Sequence, residues 1–397
     1  MRISTSQIFS QSLRQMNSAL SDVSTLNQMT SSQKRINSPS DDPSDMGLIV
    51  SLRGYNQGLT DYIETCSRAS DYLDLADQAL SQASENITAA MELAEQGATE
   101  TYTTTQLQMM ALEMESYRDS LMTIANTQTG ADSLFAGDDI AGDAYEIGLG
   151  ATVPDDLLSA AGSLVLSGET DGTIRVEFTS DGEIGTDEVS YRYSTDDGET
   201  WTEGTVGVGL NTLDLGTVQA EVPMGTTVTA AGDDGEGSRF YVREAVQYVG
   251  SDAAMSVNIA AGTEADMTSV GSSIFGGVDA DTGLAYDSPN LFETISDCIV
   301  YMELGDYDGV AACLDKLTAA HENLETGAAD IGARETRIDA VSQSQSLTKA
   351  INTSSISNRE DADAAQLVVE LEQANYVYQA VLSSSADIMK MSLLSYI

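Results

Sequence analysis

Residues 59–94 read LTDYIETCSRASDYLDLADQALSQASENITAAMELA, and their apolar positions set the architecture. Leu59, Tyr62, Cys66, Ala69, Leu73, Ala76, Leu80, Ala83, Ile87, Ala90 and Ala94 follow alternating steps of three and four. That 3.5-residue spacing marks helices packed side by side in coiled-coil fashion. Alanine fills most alternate positions, which lets a partner helix come close. The pattern recurs in Leu107, Met110, Met114, Tyr117, Leu121 and Ile124, and again in Val310, Leu314, Leu317, His321, Leu324, Ala328 and Ile331. Seams of this kind are more often cores than ligand sites, so the three predict a helical bundle.

Between the seams the composition changes. Residues 138–289 are rich in Gly, Asp, Thr and Val and hold 29 acidic against 4 basic side chains. Alternating runs at Thr173–Thr179, Glu188–Tyr193 and Thr226–Thr229 predict strands. Ser133-Leu134-Phe135-Ala136-Gly137 leads into this region and Ser273-Ile274-Phe275-Gly276-Gly277 leads out. The paired signals predict a domain inserted into a helical loop, with the two crossings lying together. The fold class is therefore α+β: a long, coiled-coil-like helical bundle from both termini with an inserted β-rich acidic outer domain. The expected divisions are an N-terminal helix and proline corner at 1–42, bundle segments at 43–137 and 290–364 around the insertion at 138–289, and a C-terminal helix at 365–397.

Both ends carry seams of their own. Phe9, Leu13, Met16, Leu20 and Val23 step by four, three, four and three, and Leu367, Leu371, Ala374, Tyr378, Val381, Ser385 and Ile388 step likewise. The chain stays apolar to its last residues, through Leu393 and Leu394, and Ile3 lies at its start. Loose ends gain nothing from burial and are ordinarily polar. These positions are thus expected to form an assembly interface, ordering against each other and against other subunits.

The first helix has a clear stop. Asn37-Ser38-Pro39-Ser40-Asp41-Asp42-Pro43 contains two prolines, each of which pushes the preceding residue out of helical geometry. Asp42 then serves as N-cap, Pro43 takes the first helical position, and Asp45 favours the helix dipole. Asn37, Pro39, Asp41, Asp42 and Pro43 form a corner between helices, expected also to carry contacts between subunits.

The formal net charge of −46, from 63 acidic and 17 basic residues, argues against a nucleic-acid partner, which needs a basic face. It disfavours an anionic membrane surface as well, and no stretch approaches a membrane span. The start has one positive charge but neither a continuous apolar core nor a cleavage site, so no cleaved secretory signal is expected. Cys66, Cys298 and Cys313 form no Cys-x-x-Cys pair, and His321 alone cannot complete a zinc site or a Ser-His-Asp machine. All three cysteines fall in helical segments and read as core packing. The run Asp233-Asp234-Gly235-Glu236 lacks the spacing of an EF-hand loop. No enzyme chemistry, metal or cofactor is expected.

Ser194-Thr195-Asp196-Asp197-Gly198-Glu199-Thr200-Trp201 resembles the Asp-box of sialidases. It reads physically as a hairpin turn: Asp196 accepts backbone N–H groups, Gly198 takes the awkward dihedral, and Trp201 packs the turn. One such turn, with four arginines in the whole domain, supports no sialidase propeller. It leaves a glycan-binding surface protein as an alternative of another class.

Taken together, Met1-Arg2-Ile3-Ser4-Thr5, Lys34-Arg35-Ile36-Asn37 through Ser40-Asp41-Asp42-Pro43, and Ala386-Asp387-Ile388-Met389 through Ser392-Leu393-Leu394-Ser395-Tyr396-Ile397 resemble the flagellin superfamily. Within it they are most similar to the subunits that join the bacterial hook to the filament. Flagellins typically carry an alanine-rich version of the corner after the paired aspartates. The resemblance implies a structural protein of the flagellum, secreted by type III export and located at the hook–filament junction. It implies a ring of about eleven copies between a hook-side junction protein and flagellin, and a cytosolic export chaperone that holds the C-terminal helix. A flagellin filament subunit is the alternative within the superfamily, and a cytoplasmic coiled-coil scaffold the alternative outside it.

Overall fold

The computed structural model describes residues 5–154, 164–170, 172–196, 198–231, 237–287 and 289–394, with backbone alone for 5–6 and 388–394. Its helices are α1 (Thr5–Ser32), α2 (Pro43–Gly97), α3 (Thr104–Ala125), α4 (Gly271–Phe275), α5 (Leu291–Leu304), α6 (Tyr307–Glu360) and α7 (Ala364–Leu394). The chain divides into two compact units, residues 1–64 with 342–397, and residues 65–341. The long helices α2 and α6 contribute residues to both. The divisions expected from composition at 42/43 and 364/365 fall inside the first unit, and those at 137/138 and 289/290 inside the second.

In the second unit the seams form one core. Cys66, Leu73, Leu80 and Ile87 of α2, Leu107, Met114 and Leu121 of α3, and Val310, Leu317, Leu324 and Ile331 of α6 are buried in a single cluster. Tyr117, Ile124, Leu314 and Ala328 pack against it half-buried. Each fully buried leucine or isoleucine contributes about 1.5–3 kcal/mol of transfer free energy. His321 is half-buried and shares a 2.8 Å hydrogen bond with the Ser84 hydroxyl, so its polar ring is satisfied at the edge of the core. Local signals set the helix ends. The Thr103 N–H donates to Gln106 Oε1 at 2.9 Å before α3, Asn290 Oδ1 accepts from the Glu293 N–H at 3.1 Å in α5, and Gly305 closes α5 in the left-handed region.

The largest sheet has strand order Val278–Asp279, Arg239–Tyr248, Ile174–Phe178, Val189–Ser194, Thr202–Val206, with Tyr145–Thr152 also paired to Arg239–Tyr248. That last pairing is antiparallel and sets Tyr248 opposite Tyr145 and Tyr241 opposite Thr152. Val176, Phe178, Val189, Tyr191, Phe240 and Val242 bury one side of the sheet in a second core. The expected strands appear as Ile174–Phe178, Val189–Ser194 and a short Thr227–Val228. The longest strand, Arg239–Tyr248, was not expected. Seven of its ten residues are buried, on both faces, so it reads as a run rather than an alternation.

The two crossings meet. The Phe135 and Phe275 rings lie 5.3 Å apart and perpendicular, and Ala136 bridges Val270. Tyr145 packs on Phe292 at 4.9 Å. These aromatics belong to the same cluster as the helical seams, so helices and sheet share a core at the crossing.

The expected hairpin turn joins Val189–Ser194 to Thr202–Val206. Asp196 Oδ1 accepts from the Ser194 hydroxyl at 2.7 Å and the Thr200 N–H at 2.8 Å. The Thr200 bonds, side chain before backbone, hold the Asp196 carboxyl below its usual range. Gly198 has φ 92°, which a side chain rarely tolerates. Trp201 lies under the Arg192 guanidinium at 4.4 Å and near that of Arg175 at 5.5 Å. Glu177, almost fully buried, takes hydrogen bonds from both arginines. The run 233–236 lies outside the described residues.

Candidate assembly interface

The first unit brings the chain's two ends together. Helices α1 and α7 run antiparallel: Lys34 bridges Asp361 at one end, and the Ser12 and Ser385 hydroxyls hydrogen-bond at 2.5 Å toward the other. Small buried residues mark the contact, with Ser12 and Ala19 on α1 and Ser385 on α7 joined by Leu367. Without long side chains between them, the two backbones approach closely.

The expected C-terminal seam is the inward face of α7. Leu367 and Ser385 are buried, and Leu371, Ala374, Tyr378 and Val381 half-buried. On α1 the inward face differs from the expected seam. It runs Ser12, Met16, Ala19, Val23 and Leu26, still in steps of four and three. Met16 and Val23 belong to it, whereas Phe9, Leu13 and Leu20 are exposed on another face with Ile8. The hydrophobic reading followed the larger side chains, while close approach selected the smaller ones. Ile3 lies outside the described residues, as do the side chains of Ile388, Leu393 and Leu394.

Pairing therefore leaves large apolar side chains uncovered. Ile8, Phe9, Leu13 and Leu20 on α1 and Val368, Val369, Tyr376, Val377 and Leu382 on α7 are exposed, Tyr376 at 74%. A groove of about 270 Å³, lined by Ser12, Gln15, Tyr376, Val377, Val381 and Ser385, runs between the helices.

The corner is built from hydrogen bonds. Asp41 Oδ2 accepts the Asn37 and Ser38 N–H groups at 2.9 and 2.8 Å, and Oδ1 accepts the Ser38 hydroxyl at 2.9 Å. The Ser38 backbone bond, then that of Asn37, holds its carboxyl below the usual range. Asp42 Oδ1 caps α2, accepting the N–H groups of Ser44 and Asp45, each at 3.1 Å. Pro43 is the first residue of α2, Pro39 is exposed, and Ile36 is buried. The Arg35 N–H donates to the Glu360 carbonyl at 2.7 Å and the Ala362 N–H to the Gln33 carbonyl at 3.0 Å, tying the corner to the α6–α7 junction.

Sequence reasoning missed the charges that close this junction. The Glu360 carboxylate is only 8% exposed and receives Lys34 Nζ at 2.7 Å and Arg53 Nη2 at 2.5 Å. Asp45 receives Arg359 at 2.8 Å and Arg35 at 3.2 Å. Burial alone would raise the Glu360 pKa, but the hydrogen bonds from Lys34 and Arg53 outweigh it and leave the value lowered. Arg53 and Glu360 are 307 residues apart, so no spacing rule could pair them.

Among the described residues, no group of His, Cys, Asp or Glu could hold a metal ion, and no helix is long and apolar enough to cross a membrane.

Residues 3–139 match the family model of the bacterial flagellin N-terminal helical region. None of the curated protein sequences matches the chain. Among solved structures it is similar to a flagellar hook-associated protein from Vibrio parahaemolyticus, at 16% identity and TM-score 0.49 over 81% of this chain and 100% of that one. It is similar also to a flagellar hook-associated protein-3 from Legionella pneumophila, at 10% identity and TM-score 0.42 over 78% and 98%. A third is FlgL from Bacillus cereus, at 12% identity and TM-score 0.41 over 78% and 99%. Likenesses at this level decide nothing by themselves. The family-model match covers α1, the corner, α2, α3 and the first crossing, and that region is similar to the N-terminal helical region of bacterial flagellins.

Proposed function

We propose that this chain is a structural subunit of the bacterial flagellum, of the hook-associated protein 3 kind, that joins hook to filament. The observation that carries the reading is the α1–α7 pair, which buries a narrow small-residue seam and leaves apolar side chains of both helices exposed. Such faces become stable in water only when another subunit covers them. The chain passes through the flagellar type III apparatus with its ends held open, the C-terminal helix in the keeping of a cytosolic chaperone. Afterwards α1 and α7 order against each other and against neighbouring copies, so that apolar burial offsets the cost of ordering. About eleven copies close a ring, since a head-to-tail contact that closes makes a ring and one that does not makes a filament. One side of the ring meets the hook-side junction protein and the other meets flagellin. The corner at Asn37–Pro43 takes part in contacts between copies. The role is mechanical and needs no catalysis or cofactor.

Deletion of the gene tests the reading. The expected phenotype is hooks without filaments and flagellin lost to the medium; normal filaments would overturn it. Seeded polymerisation of the purified chain separates the close alternative, because a filament subunit would extend seeds into long filaments and a junction subunit would not.

A further inference from the structure

Between α3, α5 and the strand Arg239–Tyr248 lies a cavity of about 170 Å³. Glu115 and Arg118 of α3, Glu244 of the strand, Thr173, and Ser296 and Glu303 of α5 line it. Its charges do not balance. The buried Arg118 guanidinium meets Glu115 and Glu244 at 3.2 Å and Asp119 at 3.1 Å, all through Nη2. Its Nε also donates to Asp119, and its Nη1 makes no hydrogen bond among the described residues. Arg243, on the same wall, is held between Glu293 and Asp297. Two guanidinium groups thus face five carboxylates, and Glu115 and Glu244 each use one oxygen on Arg118.

A second observation concerns Ser296. It is 1% exposed, it lines the cavity, and its hydroxyl has no hydrogen-bond partner. Buried polar groups are seldom left so. The cavity therefore offers unused donors at Arg118 and Ser296 and unused carboxylate oxygens at Glu115 and Glu244, which are part-exposed at its mouth.

We propose that this cavity binds a small organic cation, a primary ammonium ion that also carries a hydroxyl or carbonyl oxygen. The ammonium group donates to Glu115 and Glu244 and offsets their surplus charge. The oxygen enters first and accepts from Arg118 Nη1 and the Ser296 hydroxyl. An anion would meet the carboxylates, and a neutral molecule would leave their charge standing. A metal ion does not fit, since among the described residues no group of acids could hold one. The volume is below that of a drug-sized pocket and suits a molecule of a few heavy atoms. The site is independent of the flagellar reading.

The test is calorimetric titration of the full chain with ethanolamine, in about 0.15 M salt to screen the acidic surface. Tetramethylammonium, glycerol and acetate are the controls: a cation without N–H donors, a neutral polyol and an anion. The expected result is saturable binding of one ethanolamine per chain and none of the controls. Glu115→Gln, at a part-exposed position that folding tolerates, should weaken binding about tenfold, the loss of one charged hydrogen bond. Ser296→Ala should weaken it too, yet leave the unfolding midpoint of the free chain unchanged or higher, because a stranded hydroxyl is removed. No saturable ethanolamine binding, or tetramethylammonium binding equally well, would overturn the proposal. So would full affinity in Glu115→Gln with native circular dichroism.

Discussion

Ser12 and Ser385 share a 2.5 Å hydrogen bond across 373 residues of sequence, at a point where α1 and α7 have no room for larger side chains. Two hydroxyls that satisfy each other inside a close helix crossing let both backbones approach without stranding a polar group. The first prediction concerns size. Ser12→Leu forces the helices apart and destabilises the terminal pair by about 1–3 kcal/mol. Ser12→Ala loses one hydrogen bond and costs about 1 kcal/mol. Limited proteolysis of the termini, read beside denaturant unfolding, ranks the two variants.

The Glu360 junction should respond to pH. The folded pKa of Glu360 lies below its ordinary 4.5. Its stabilisation is therefore fully present above that ordinary value and lost as pH falls through the lowered one. Lys34 and Arg53 are 41% and 46% exposed, so solvent screens the pair. Glu360→Gln then costs on the order of 1 kcal/mol at neutral pH. The difference from the parent narrows toward zero on acidification, as unfolding curves collected from neutral pH downward would show.

Arg243 holds the sheet to α5. Its guanidinium is 4% exposed and meets Glu293 at 3.1 Å and Asp297 at 2.8 Å, while its Nε donates to Thr152 Oγ1 at 2.8 Å. Arg243→Met leaves two carboxylates uncompensated and should cost about 3–5 kcal/mol. Replacing Glu293 and Asp297 by Leu in the same chain recovers part of that loss, a comparison chemical denaturation can make.

Assembly and stability should separate at the exposed faces. Phe9→Ser and Tyr376→Ser alter side chains that the subunit itself leaves uncovered. Their effect on monomer unfolding should stay within about 0.5 kcal/mol. The same double variant should fail to restore filaments in a strain lacking the gene. A variant that restores them fully would count against these faces as contacts.

Much of the fold was legible because its signals are local and periodic. The seam from Leu59 to Ala94 reports a helix whose one face is covered throughout, and nearly every position in it is buried. Asp42 and Pro43 mark the start of α2, and Asp196 and Gly198 mark a turn, because caps and turns are made by residues close in sequence. Arg239–Tyr248 escaped notice because a strand covered on both faces has no alternation to read.

What the sequence determined by itself is that both ends carry heptad seams, that a proline corner follows the first, and that a β-rich region interrupts the bundle. Which face of each terminal helix pairs within the chain was left to the tertiary structure. On α1 the larger apolar residues Phe9, Leu13 and Leu20 lost to the smaller Ser12 and Ala19, because a close crossing rewards small side chains at the contact. The meeting of Arg53 with Glu360 was likewise decided in three dimensions. Pairings between distant segments depend on how whole helices pack, and no local pattern encodes them.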